Sequence, residues 1–122
     1  MSSFLIRPVP TGYKFDLKAP NGQVIATSEV YETRAACRKG IESVRKSAAK
    51  AKLEDQTEET SIPVTNPKFQ LFQDKGGSYR FRLNSRNGQV VAVSESYTTK
   101  AACENGIESV RSNASDAEIG ET

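Results

Sequence analysis

The chain reads as an α+β fold: two tandem β-β-β-α(-β) repeats related by an approximate two-fold, forming one antiparallel sheet with two helices packed on one face. Three observations predict this. Tyr13 to Ala48 aligns without a gap on Tyr79 to Ala114, with 22 of 36 positions identical, and such self-similarity is the mark of a repeat architecture. Within each copy the hydrophobic period changes from two to between three and four, a strand pattern followed by a helix pattern. The full length of 122 residues suits one domain, whereas one copy of about 55 residues would be marginal alone, so the copies are expected to share a core. The expected organisation is a single pseudo-symmetric domain over 1–122, with repeat one at 1–55, a linker at 56–67 and repeat two at 68–122.

Phe4 to Arg7 and Lys68 to Gln73 predict a first strand in each copy. Pro8 to Gly12, and Asp74 to Ser78 with its Gly76 and Gly77, supply the turns that follow. In the second strand Tyr13, Phe15 and Leu17 alternate with Lys14, Asp16 and Lys18. Tyr79, Phe81 and Leu83 alternate in the same way with Arg80, Arg82 and Asn84, so both strands are half-buried. Asn21-Gly22 and Asn87-Gly88 then predict two-residue type I′ hairpins leading into Gln23 to Ser28 and Gln89 to Ser94. A two-residue loop makes Pro20 face Gln23, which places Leu17 opposite Ala26, Phe15 opposite Ser28 and Lys14 opposite Glu29. Copy two repeats this as Leu83 with Ala92, Phe81 with Ser94 and Arg80 with Glu95.

Thr33 and Thr99 are the expected N-caps of a helix in each copy. Its apolar stripe is Cys37, Gly40, Ile41, Val44 and Ala48, and again Cys103, Gly106, Ile107, Val110 and Ala114. A glycine in that stripe costs about 1 kcal/mol of helix propensity, which points to a close approach of the helix to the sheet. The opposite face of the first helix carries Arg38, Glu42, Arg45 and Lys46, spaced as solvated ion pairs. Ala51 to Asp55 and Ala117 to Glu121 leave room for a short closing strand. Gln56 to Pro67, acidic and holding Pro63 and Pro67, reads as the linker.

Asn, Gly and Gln at the hairpin, then Ser, Glu, a spacer and Tyr, then Ala-Ala-Cys, and finally Gly-Ile-Glu-Ser-Val-Arg occur in both copies. This block resembles the YegP-like family of small uncharacterised bacterial proteins across nearly the whole chain. The resemblance implies that two units build a single sheet with exchanged C-terminal strands, so that Leu53 and Ile119 cross to the partner repeat. It brings no established activity. Pro8, Pro10 and Pro20 depart from the family pattern and point to irregular first strands in copy one.

Composition narrows function mainly by exclusion. The net charge is +2, with 17 basic and 15 acidic residues and no histidine, so no whole-molecule field draws the protein to DNA or anionic lipid. The distribution is uneven: residues 1–50 carry nine basic and four acidic side chains, while 68–122 carry seven of each. Met1 to Pro10 holds no long apolar run behind a basic region, and no run of 18 apolar residues occurs, so neither a signal peptide nor a membrane span is expected, and a cytoplasmic location follows. Cys37 and Cys103 lie on the apolar helix stripe, where small thiols pack. Glu29 and Glu95 each face a basic partner in the expected register, and Ser43 and Ser109 border a solvated helix face. No catalytic, cofactor-binding or metal-binding residue is therefore assigned.

Two readings of function stand. The first is a small non-enzymatic interaction or structural module, whose partner is another protein. The second is a weak nucleic-acid binder on the polar sheet face, using Lys14, Lys18, Arg80 and Arg82 with Ile25, Val91 and Val93 as apolar contacts. The possible partner surface comprises Lys14, Lys18, Arg80, Arg82, Tyr31 and Tyr97. A monomer is expected, because the tandem repeat supplies its own partner.

Overall fold

The computed structural model describes residues 2–58 and 62–121; the middle of the expected linker lies outside the described residues. The chain runs β1 (Ser3–Val9), β2 (Gly12–Lys18), β3 (Val24–Thr27), α1 (Arg34–Lys50), β4 (Lys52–Asp55), then β5 (Lys68–Gln73), β6 (Tyr79–Asn84), β7 (Val90–Ser94), α2 (Lys100–Asn113) and β8 (Glu118–Glu121). All eight strands form one sheet in the order β4-β5-β6-β7-β3-β2-β1-β8. The six inner strands are antiparallel, and the repeats meet at its centre, where Thr27 pairs with Val93. β8 runs parallel to β1 with Ile119 beside Phe4, and β4 runs parallel to β5 with Leu53 beside Phe69. Each repeat thus gives its last strand to the other, and these edge strands are parallel where an all-antiparallel sheet was expected. Parallel pairing follows from the exchange: the chain must cross from one repeat to the far edge of the other, over a helix.

One face of the sheet carries Phe4, Phe15, Phe69 and Phe81, each at most 1% exposed. Phe4 packs edge-on against Phe15, and Phe69 packs edge-on against Phe81. Both helices cover this face with the expected stripe, and Cys37, Ile41, Val44, Cys103, Ile107 and Val110 are all buried. Thr33 Oγ1 accepts from Ala36 N at 3.0 Å and Thr99 Oγ1 from Ala102 N at 3.1 Å, so both caps form as predicted. β1 is regular despite Pro8, which pairs with Tyr13 beside the turn.

The hairpins differ from expectation. Gly22 N donates to Ala19 O at 2.9 Å, Ala19 N donates to Gln23 O at 2.9 Å, and Gly22 alone in the loop has positive φ, at 85°. The loop is therefore three residues, Pro20 to Gly22, in a type I turn closed by a left-handed glycine, and Pro20 does not face Gln23. Gly88 repeats this at φ 87°. A bulge follows at once, because Lys18 pairs with Val24 but Leu17 pairs with Ala26. The longer loop and the extra residue cancel, so the predicted Leu17–Ala26 and Leu83–Ala92 pairs form.

A second slip removes an expected ion pair. Ser28 Oγ accepts from Phe15 N at 2.9 Å and donates to Glu29 O at 2.7 Å, wedging a side chain into the ladder. Beyond it Tyr13 pairs with Tyr31, one residue out of the earlier register, and Ser94 does the same in copy two. Neither Lys14–Glu29 nor Arg80–Glu95 is an ion pair among the described residues. Glu29 and Glu95 are exposed.

The helix glycines answer to a tyrosine rather than to the sheet backbone. A Cβ at Gly40 would lie 2.3 Å from Tyr31 Oη and 2.6 Å from its Cζ, and one at Gly106 would lie 2.4 Å from Tyr97 Oη. Each ring is also stacked on a core phenylalanine, Phe15 or Phe81, so it has little room to retreat. Gly40→Ala gains helix propensity of about 1 kcal/mol yet is expected to lose about 1–2 kcal/mol net through overpacking. Urea unfolding checks this, and a raised midpoint would contradict the tyrosine contact.

Candidate functional site

The sheet divides the six residues expected to form a partner surface. Lys14, Lys18, Arg80 and Arg82 alternate with buried core residues and so occupy the helix-free face. Tyr31 and Tyr97 lie on the helix side, stacked at 6.2 and 6.4 Å on Phe15 and Phe81. The two groups do not meet. The arginines are partly committed: Arg82 lies 4.3 Å above the Phe72 ring, and Arg80 donates to Ser94 O at 3.1 Å, although Nε of each is buried without a hydrogen-bond partner. Ile25 and Val91, expected as apolar contacts on this face, are buried beside the bulges, and Val93 is half-buried where the repeats join. Among the described residues the exposed large apolar side chains are Val30, Leu53 and Ile62, which come from separate segments.

At one end of that face stands a polar cluster that sequence reading passed over. Glu54 on β4 accepts from Lys68 Nζ at 2.8 Å, Val64 N at 3.0 Å, Gln56 Nε2 at 2.7 Å and Gln70 Nε2 at 3.1 Å. Lys68 first, then the Val64 amide, hold its carboxyl down to about 2 against burial. The cluster ties the end of the linker to an exchanged strand. Its residues are scattered over 16 positions between Glu54 and Gln70, so no local spacing announced it.

Both thiols are 0% exposed. Burial pushes the Cys103 thiol up to about 11 and raises that of Cys37, so both are protonated at neutral pH and shielded from reagents. Among the described residues no cluster of three or more metal-ligating side chains occurs, and no helix is long and apolar enough to cross a membrane.

Charge concentrates on α1. Its residues include Arg34, Arg38, Lys39, Arg45, Lys46 and Lys50 against Glu42 alone, whereas α2 balances Lys100 and Arg111 with Glu104 and Glu108. Arg34 and Arg38 both reach Glu121 on the exchanged β8. Arg45, expected in a solvated pair, is instead a brace: besides Glu42 at 2.5 Å it donates to Ala117 O at 2.6 Å and Ala114 O at 3.3 Å, past the end of α2. Arg111 returns the contact, donating to Ala51 O at 3.0 Å. Lys39, Lys46 and Lys50 have no carboxylate within ion-pair distance among the described residues. A depression of about 440 Å³ lies along Arg38, Lys39, Glu42, Ser43 and Lys46.

The domain of unknown function DUF1508 matches residues 11–55 and again 74–121. The chain belongs to the DUF1508 family. A UPF0339 protein of Photorhabdus laumondii is 37% identical over 107 residues, 88% of this chain and 81% of that protein. One from Treponema denticola is 54% identical over 54 residues, 44% of this chain but 93% of that protein, so a relative exists at the length of one repeat. Among solved structures, the Escherichia coli protein of unknown function yegP aligns with TM-score 0.78 and 28% identity over 99% of this chain and 92% of its own. A UPF0339 protein of Shewanella oneidensis aligns with TM-score 0.79 and 29% identity over 98% and 90%. The DUF1508 fold is thus the YegP-like one that the repeated block resembles.

Two outcomes follow for this DUF1508 chain. Glu54→Gln is expected to cost about 2 kcal/mol at pH 7, because it leaves Lys68 without its anion. The Glu54 contribution is present above the ordinary carboxylate pKa near 4.5 and is lost as pH falls toward about 2. Urea unfolding of both proteins across that window should therefore show the difference closing with acid. A thiol reagent at neutral pH should label neither cysteine in the folded protein and both in denaturant; rapid labelling of the native state would contradict the burial of Cys37 and Cys103.

Proposed function

We propose that this DUF1508 protein is a non-enzymatic interaction module, cytoplasmic and monomeric, that docks an acidic segment of a partner protein on the solvent face of α1. The observation that carries this reading is the charge of that helix, six basic residues against one acidic, with Lys39, Lys46 and Lys50 unengaged by carboxylates among the described residues. Buried, protonated thiols and the absence of histidine also favour binding over catalysis. Charge complementarity of this kind supplies association rate and selectivity more than raw affinity.

A second reading, nucleic-acid binding on the helix-free sheet face, is favoured by Lys14 and Lys18 on β2 and Arg80 and Arg82 on β6, four cations on one face of the sheet. Tyr31 and Tyr97 lie on the other side of the sheet and take no part in it.

Fluorescence anisotropy with a labelled polyglutamate peptide, and separately with single-stranded and duplex oligonucleotides, distinguishes the readings. The α1 reading expects peptide binding that weakens at least about 3-fold on Lys39→Glu and falls steeply with salt. Oligonucleotide binding that is insensitive to Lys39→Glu and lost on Lys14→Glu would replace it with the second.

A further inference from the structure

We propose that the cleft between the C-terminal half of α1 and the β6–β7 hairpin is a binding site for a small phosphorylated ligand, with the phosphoryl group seated among Lys46, Lys50 and Arg86. This cleft has a volume of about 960 Å³, and its walls combine these three cations with Ser43, Ser47 and Asn87, while Pro67 and Ala49 supply apolar surface. None of the three cations has a carboxylate partner among the described residues. Like charges gathered without counter-ions repel one another, and a bound dianion relieves that repulsion.

The other repeat shows that the fold does not require this arrangement. At the pseudo-symmetric positions Ser112 and Asp116 stand for Lys46 and Lys50, and Pro20 stands for Arg86. There a hydrogen bond bridges the space: Ser2 Oγ donates to Asn113 Oδ1 at 2.5 Å, while Asn113 Nδ2 donates back along α2 to Ser109 O at 2.8 Å. Ser2 precedes Phe4 as Pro67 precedes Phe69, and Asn113 aligns with Ser47, so the same corner of the fold is bridged in one copy and open and cationic in the other. Identity between the copies reflects shared packing; a divergence that places three positive charges around one opening needs another cause.

Phosphate fits better than carboxylate. A phosphoryl group carries close to two negative charges at neutral pH and presents three acceptor oxygens, matching three cationic donors with hydroxyl and amide groups beside them. The volume exceeds that of an inorganic anion and lies within the range of small-molecule sites, which leaves room for an organic moiety over Ala49 and Pro67. The site shares Ser43 and Lys46 with the α1 depression, whereas Lys50 and Arg86 belong to the cleft alone and Lys39 to the depression alone.

Pyrophosphate and adenosine diphosphate, titrated into the 15N-labelled protein at constant ionic strength with sulfate as the control anion, test the site. Expected are saturable amide shifts confined to Ser43–Lys50 and Ser85–Asn87, with none at Ser109–Asn113, and at least about 10-fold weaker binding in Arg86→Glu. Lys39→Glu, outside the cleft, should leave pyrophosphate affinity within about 2-fold while weakening the acidic-peptide complex, so the two proposals fail separately. Arg86 is exposed, and an unchanged amide spectrum elsewhere will show that its variant is folded. Shifts spread over every basic residue, equal binding of sulfate, unchanged affinity in Arg86→Glu, or binding of an oligonucleotide without pyrophosphate or the diphosphate would each overturn the proposal.

Discussion

The outer edges of β1 and β5 are the constraint around which the molecule is organised. A strand edge exposes a row of backbone donors and acceptors that would pair with any passing strand, and each repeat ends its three-stranded unit with such an edge. β8 closes the edge of β1, and β4 closes that of β5, so neither repeat is complete without the other. The exchanged strands are also held from above. Glu121 meets Arg34 and Arg38 of α1, and Asp55 meets Lys100 at the start of α2, so the carboxylate that ends each exchanged strand lands on the first turn of the opposite repeat's helix. The two arginines Arg45 and Arg111 complete the lock, each lying over a core phenylalanine, Phe4 or Phe69, and donating to carbonyls of the other repeat.

This lock explains why so much of the repeated block is architecture. Ser28 and Ser94 are wedges in the ladder, the glycines of the helices make room for tyrosine hydroxyls, and Arg45 and Arg111 brace the opposite repeat. Residues that look functional because they recur are answering a requirement of the fold that arises twice. The informative residues are those that do not recur. α1 carries a cationic outer face that α2 lacks, and one of two equivalent corners is left open. A pseudo-symmetric protein supplies its own control here, since whatever the fold demands must be satisfied in both halves.

A good deal was legible in the chain. The alternation of Tyr13, Phe15 and Leu17, the stripe from Cys37 to Ala48 and the threonine caps depend on neighbours within a turn or a few residues, and all appear where local periodicity puts them. The Leu17–Ala26 pair was right for an incomplete reason, because a three-residue loop and a bulge compensate where a two-residue loop was expected; Asn-Gly suits either turn, and the choice rests on which residue takes positive φ. The unequal charge of the two halves was visible as well, but its gathering on one helix face and around one opening was not.

The residues alone set the repeat, the strand and helix segments and which side of each is apolar, because those properties are periodic and local. Assembly in space settled the parallel course of the exchanged strands, the slip at Ser28, the burial of Ile25 and Val91 beside the bulges, and the conversion of Arg45 from a surface charge into a brace. Arg45 and Ala117 are 72 positions apart, and Lys50 and Arg86 line one cleft that neither segment builds alone. Such encounters follow from how two helices and eight strands pack, and no spacing along the chain encodes them.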